Sequence, residues 1–158
     1  MAKGPTRLRF KSDVDAWVRE TQARLEAVFK TASQAVLEEV VARTPVDTGF
    51  LRASLTASLE RMAPIRRGSR PAKDAAPGSY PPPDVALVIS SARLGQTIYA
   101  SFTAEYSGVV EYGGENRKAV GMVRLAAQNW PKHVRDAVSA AKAAALRPRS
   151  PRPAAPGA

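Results

Sequence analysis

The sequence predicts an α+β domain, in which a long N-terminal helix and a C-terminal helix pack on a small antiparallel sheet. Apolar residues recur at three- and four-residue steps over residues 13–43 and again over 122–146, which is the period of an amphipathic helix. Between these helices, three segments alternate apolar and polar residues and predict strands: 50–60, 84–91 and 96–104. A chain of 158 residues has room for one such domain with a modest core.

The first predicted helix begins after the good N-cap residues Ser12 and Asp13 and ends before Pro45, which cannot continue a helix. At 1.5 Å per residue it is about 45 Å long, more than one small domain covers. We therefore expect part of its apolar stripe, including Trp17 and Val28, to contact another subunit.

A sharp corner follows this helix. Pro45 stops it, Asp47-Thr48-Gly49 supplies turn chemistry, and Arg52 leaves the turn on the next element. We predict a structural corner in which Gly49 has a conformation costly for other residues, or lies against a neighbouring backbone. Asp47 should bond local backbone amides or Arg52.

The Asp47-Thr48-Gly49 triplet also occurs in retropepsin-type aspartic proteases, where two aspartates share a proton across a dimer. In such enzymes the triplet lies between apolar strands. Here a charged helical segment precedes it and no apolar strand with a closing glycine follows. The corner is therefore the favoured interpretation.

The remaining elements are predicted from the positions of proline and glycine and from the apolar period. Residues 50–60 predict a strand, with a helical continuation as an open alternative, and residues 61–83 predict an extended, poorly packed loop rich in proline. Residues 84–91 and 96–104 predict an antiparallel pair joined at 93–96. Pro131 should kink or restart the helix over 122–146.

The net charge of +10 is concentrated in three segments. A basic N-terminal arm (1–11) and the 61–83 loop each carry +4, and a Pro/Arg/Ala-rich tail (147–158), predicted to be disordered, carries +3. The single domain over 12–146 is therefore nearly neutral outside its loop, a pattern that suits a polyanionic partner or, for the tail, simple solubility. The basic residues of the loop are Arg61, Arg66, Arg67, Arg70 and Lys73.

No enzymatic chemistry is indicated. The chain has no cysteine, its one histidine, His133, lies beside Lys132 and is expected at the surface, and no phosphate-binding loop occurs. We expect no catalytic residue, metal site or cofactor. No apolar segment approaches the roughly 18 residues that suggest a membrane span, so no membrane partner is expected.

Two motifs, Pro45-Val-Asp-Thr-Gly-Phe-Leu-Arg-Ala-Ser-Leu55 and Tyr106-Ser-Gly-Val-Val-Glu-Tyr-Gly-Gly114, resemble signatures of the neck and tail-completion proteins of long-tailed, lambdoid-type bacteriophages. The resemblance covers roughly residues 12–146. It excludes the basic loop and the tail.

This resemblance implies a structural virion protein of the phage neck, assembled in the host bacterial cytoplasm. Subunits would form a sixfold or twelvefold ring between a head-closure or adaptor protein and a tail-terminator or tail-tube protein. The ring would join the head to the tail and let double-stranded DNA pass. Its subunit contacts would include Val110, Glu111 and Tyr112.

The 61–83 loop would face DNA in the lumen, or alternatively clamp an adjacent ring. Two other functions stay open: a tail-terminator ring protein, or a free basic nucleic-acid-binding protein.

Overall fold

The computed structural model describes residues 6–146, with the side chains of 9–146. The polypeptide forms six helices and two strands in this part of the chain. In order these are α1 (Thr6–Arg43), α2 (Phe50–Ala53), β1 (Leu55–Ser58), α3 (Ala86–Ser91), β2 (Tyr99–Phe102), α4 (Ser107–Tyr112), α5 (Met122–Gln128) and α6 (Trp130–Leu146). The predicted α+β class is confirmed.

The sheet consists of β1 and β2, which run antiparallel with Leu55 opposite Phe102 and Ser58 opposite Tyr99. One face of α1 packs against α5 and α6, and its C-terminal half lies over the core. The core combines residues from nearly every element: Leu37, Val40, Leu51, Leu55, Val85, Ile89, Phe102, Ala104, Val110, Met122 and Ala126. A two-stranded sheet is marginal alone, so its stability depends on this helical cover.

The predicted strand over 84–91 is wrong, because this segment forms helix α3. Val85 and Ile89 are buried, whereas Leu87 is 73% exposed. Burial at a four-residue step is the helical period, and the apparent alternation of Val85, Leu87 and Ile89 fits a strand only if all three face the core. The partner of β2 is therefore β1.

The predicted strands over 50–60 and 96–104 are shorter than expected. Phe50–Ala53 forms the short helix α2, which agrees with the helical alternative. Within 50–60, only Leu55–Ser58 forms a strand. The second strand is confined to Tyr99–Phe102.

The N-terminal helix differs from its predicted start, whereas the C-terminal helical segment has its predicted bounds, 122–146, and the expected break near Pro131. Helix α1 begins at Thr6, so half of the predicted basic arm is helical, while residues 1–5 and the tail over 147–158 lie outside the described residues. The C-terminal helix is two helices that meet at Asn129. Pro131 lies in the first turn of α6, where its missing N–H costs no helical hydrogen bond, so it restarts the helix.

A polar bridge ties α1 to the junction of α5 and α6. The carboxylate of Glu39 accepts hydrogen bonds from Arg43 Nε at 2.8 Å and Asn129 Nδ2 at 2.7 Å, and its Oε2 lies 2.7 Å from His133 Nε2. The hydrogen bond from Arg43, followed by those from His133 and Asn129, lowers the pKa of Glu39 to about 2. The His133 side chain is only 14% exposed, so its expected place at the surface is wrong.

The depressed pKa of Glu39 predicts a pH-dependent contribution to stability. A carboxylate with a pKa of 4.5 unfolded and about 2 folded stabilises the fold above pH 4.5, and this contribution is lost as the pH falls toward 2. The unfolding free energy of Glu39→Gln should therefore fall below that of the wild type at pH 5 and converge with it near pH 2. Urea titrations across this range measure the difference. Glu38→Gln, which changes an exposed neighbour that accepts a hydrogen bond from Gln34, should show no such convergence.

Candidate functional site

The predicted corner begins by closing the C-terminus of α1. The backbone N–H of Thr44 and its hydroxyl both donate to the carbonyl of Val40, the hydroxyl at 2.7 Å. Arg52 Nε then donates to the carbonyl of Thr44 at 3.1 Å. A cation at this position satisfies a carbonyl that the helix leaves without a partner and complements the helix dipole. Arg52 therefore holds α2 against the end of α1.

Gly49 meets both parts of its prediction. Its φ is +89°, and a Cβ atom at this position would lie 3.0 Å from the carbonyl oxygen of Tyr80. The prediction for Asp47 is wrong: its side chain is exposed, and within the described part of the chain it has no hydrogen bond or ion pair. Thr48 supplies the local bond, since its Oγ1 accepts from the N–H of Phe50 at 3.3 Å.

Three of the nine residues of the second motif are buried: Ser107, Val110 and Glu111. Val110 is 1% exposed and belongs to the core. Glu111 is 6% exposed and accepts hydrogen bonds from the N–H groups of Val123 at 2.9 Å and Arg124 at 3.1 Å. It therefore caps α5, whose own N-cap residue, Gly121, has no side chain to do so. The prediction that Val110 and Glu111 contact another subunit is corrected accordingly, because neither has surface to offer.

The other predicted subunit contacts have accessible surface. Tyr112 is 72% exposed, with the Arg124 guanidinium carbon 5.6 Å from its ring centroid. Trp17 is 66% exposed and Val28 is half-buried. For Tyr112, Trp17 and Val28, contact with another subunit stays a prediction.

The basic loop has no helix or strand, and 17 of its 23 residues are exposed with none buried, which agrees with its predicted poor packing. Backbone hydrogen bonds nevertheless tie it to the domain. Arg66 N–H donates to the carbonyl of Thr103 and Glu105 N–H to that of Ser69, so the loop follows the chain beyond β2. Tyr80 anchors its far end, with its ring 4.9 Å from that of Phe50. All five cationic side chains are exposed, and of these only Arg70 has an ion pair among the described residues, at 2.7 Å to Glu105.

A cleft of about 590 Å³ lies where the corner, the loop and the second motif meet. Its walls include Phe50, Leu51 and Val110, and its rim carries Asp47, Arg70 and Arg117. The rings of Phe50 and Tyr106 stack at a centroid distance of 6.5 Å. Burial, and next the charge of Asp47, raise the pKa of Tyr106, so its phenol remains a hydrogen-bond donor at neutral pH.

This arrangement is suited to binding. The cleft offers apolar walls, a phenol and two guanidinium groups, and no cluster of three or more His, Asp or Glu side chains that could hold a metal ion occurs in the described region. Sequence analysis missed Arg117. For Glu111, which lies in an apolar segment beside aromatic residues, the sequence favoured a salt bridge or a backbone cap, and the cap is confirmed. The absence of Ser, Thr, Asp or Asn before Met122 was the available signal that a distant acceptor must cap α5.

Comparison with protein-family models, curated proteins and solved structures finds no match to this chain. Across residues 6–146, no helix is both long and apolar enough to cross a membrane.

Proposed function

We propose that this protein is a structural subunit of a phage neck, which forms a ring between the DNA-filled head and the tail. The observation that most supports this proposal is that residues of the two motifs cap helices within the subunit. Arg52 caps α1 and Glu111 caps α5, so one charged residue of each motif has a structural role. Such capping roles are expected of a structural protein, in which motifs maintain the shape of the subunit.

Passage of DNA would depend on the basic loop. Arg61, Arg66, Arg67 and Lys73 are exposed cations without an ion pair in the described part of the chain. Repeated around a ring, they would attract phosphates without reading sequence, which suits a lumen through which DNA must slide. The ring faces would contact a head-closure or adaptor protein and a tail-terminator or tail-tube protein.

Ring closure requires a heterologous contact, in which one surface of a subunit meets a different surface of the next. An exposed apolar patch on α4 and α5 is available for it, formed by Val109, Tyr112 and Val123. Trp17 and Val28 on α1 offer a second surface.

The proposal is tested with a phage that encodes this chain, after deletion of the gene and supply of variants in trans. Changing Arg61, Arg66, Arg67 and Lys73 together to Gln should leave rings and particles intact but reduce DNA retention and infectious titre at least tenfold. A plot of log affinity for DNA against log salt should become shallower by up to about 0.9 for each phosphate that the variant no longer neutralises. Arg70 is retained because its ion pair with Glu105 holds the loop.

A matched control neutralises four exposed cations elsewhere: Arg19, Arg93, Lys118 and Arg135. This variant should retain DNA and titre. A chain that never enters particles would contradict the neck proposal. If it also bound DNA as a small, salt-sensitive species, the free nucleic-acid-binding alternative would replace it, whereas location at the distal end of the tail tube would favour the tail-terminator role.

A further inference from the structure

A continuous apolar stripe follows one face of α1. We define this α1 stripe as Phe10, Val14, Trp17, Val18, Thr21, Leu25 and Val28. Phe10 and Val28 are eighteen residues apart, which is five helical turns, so both ends of the stripe point the same way. Phe10 is 72% exposed and Trp17 is 66% exposed. Such a stripe on a surface helix normally faces protein.

The two halves of the α1 stripe have different surroundings. Its C-terminal half, from Thr21 to Val28, forms an apolar groove of about 480 Å³ with α6, whose contributing residues include Val138 and Leu146. The described part of α6 ends there, so the N-terminal half of the stripe, from Phe10 to Val18, extends past it. The described part of each chain thus presents an apolar groove and, beside it, an exposed apolar stretch of helix.

The sequence beyond Leu146 has no large apolar residue to offer. Residues 147–158 consist of Arg, Pro, Ser, Ala and Gly, and none of these side chains has the apolar volume of a Phe, Leu or Trp.

We propose that two copies of this chain pair through their α1 stripes, with the two α1 helices antiparallel. Each copy then lays its Phe10–Val18 half in the groove of the other. Only the antiparallel direction does this, because parallel helices would set the two uncovered halves side by side and leave both grooves open. The product is a reciprocal contact of two helical hairpins, which is the arrangement of a four-helix bundle.

One register satisfies both shape and charge. The two-fold axis crosses the helix pair at the level of Arg19 along α1. Phe10 then lies opposite Val28 of the other copy, and Trp17 lies opposite Thr21. Asp13, which has no ion pair among residues 9–146, then lies within one residue of the level of Arg24 on the same flank. Arg24 is exposed, and its one ion pair within the described part of the chain is with Glu20 of its own helix, at 2.6 Å. The two-fold repeats this opposite-charge contact, so the surface is complementary to itself.

This pairing differs from the heterologous contact that closes a ring. It would form in the isolated chain whether or not the protein enters a phage neck, and its loss would free the α1 stripe for another subunit. Failure of the neck proposal and failure of the pairing are therefore separate experimental outcomes.

Disulfide crosslinking tests the pairing, because the chain has no cysteine of its own. An equimolar mixture of Phe10→Cys and Val28→Cys chains should form a disulfide-linked heterodimer, while neither variant alone should crosslink. Within one chain these positions are about 27 Å apart, far beyond the reach of a disulfide. Efficient homodimers of Phe10→Cys would establish a parallel arrangement and overturn the proposal.

Solution mass provides the second measurement. The wild type should sediment at twice its 16.9 kDa, and Trp17→Asp should weaken dimerisation at least about 100-fold with its helical circular dichroism unchanged. Leu87→Asp, at a similarly exposed apolar residue on α3, should remain dimeric. A monomeric wild type would overturn the proposal, and so would a monomer that sediments with phosphatidylglycerol vesicles through Trp17, since lipid would then cover the stripe.

Discussion

Val110→Asp is expected to unfold the domain. Val110 is 1% exposed and packs in the core that includes Leu51 and Met122. A buried, unpaired carboxylate costs several kcal/mol even after neutralisation, and the lost apolar packing adds to it. The expected loss exceeds about 4 kcal/mol, a large part of the 5–15 kcal/mol typical of a domain. Circular dichroism and urea titration measure it.

Tyr112→Asp is the matched control, two residues further along α4. Tyr112 is 72% exposed, and its loss removes mainly the contact with the Arg124 guanidinium. The domain should lose about 1 kcal/mol or less. A folded Val110→Asp chain that fails only in assembly would restore Val110 as a subunit contact and contradict its placement in the core.

The sequence predicted those features that a single residue or a long period determines. Pro45 ends α1, and Gly49 supplies the positive φ that the corner requires. Both effects are local, so they can be read without knowing what packs nearby. The long period of α1 was equally clear, although its start at Thr6 was not, because the good N-cap residues Ser12 and Asp13 indicated a later start.

Short elements were poorly predicted because their period depends on which residues are buried. Val85, Leu87 and Ile89 fit a strand and a helix equally well over eight residues, and only the exposure of Leu87 decides between them. The short segment Phe50–Ala53 was similarly ambiguous. Tertiary packing, which the sequence does not display, selected the outcome in both cases.

The candidate site depends on contacts that are distant in the chain. Arg70 and Arg117 reach one cleft from separate loops, and Tyr80 closes on Gly49 from a loop thirty residues away. No rule based on residue spacing predicts such long-range contacts. The charge of the basic loop was visible in the sequence, whereas the anchoring of that loop to Thr103 and Glu105 required the backbone path.

Glu111→Ala is expected to destabilise the domain by about 2–4 kcal/mol. Glu111 is 6% exposed, and its two oxygens accept the N–H groups of Val123 and Arg124 at 2.9 and 3.1 Å. Removing the carboxylate leaves these donors at the start of α5 without a protein acceptor and also removes a negative charge from the positive end of the helix. Urea titration gives the loss, and hydrogen exchange at Val123 and Arg124 should accelerate more than exchange in α1.

Glu111→Gln separates hydrogen bonding from charge. Its amide retains one acceptor oxygen, so it can satisfy one of the two N–H groups, while its NH2 group faces the other donor unfavourably. We expect the unfolding free energy of Glu111→Gln to lie between those of the wild type and Glu111→Ala. Glu115→Ala, an exposed acid in the same segment, should change stability by less than about 0.5 kcal/mol. A Glu111→Ala domain as stable as the Glu115→Ala domain would show that α5 does not depend on this cap, and Glu111 would again need a role outside the subunit.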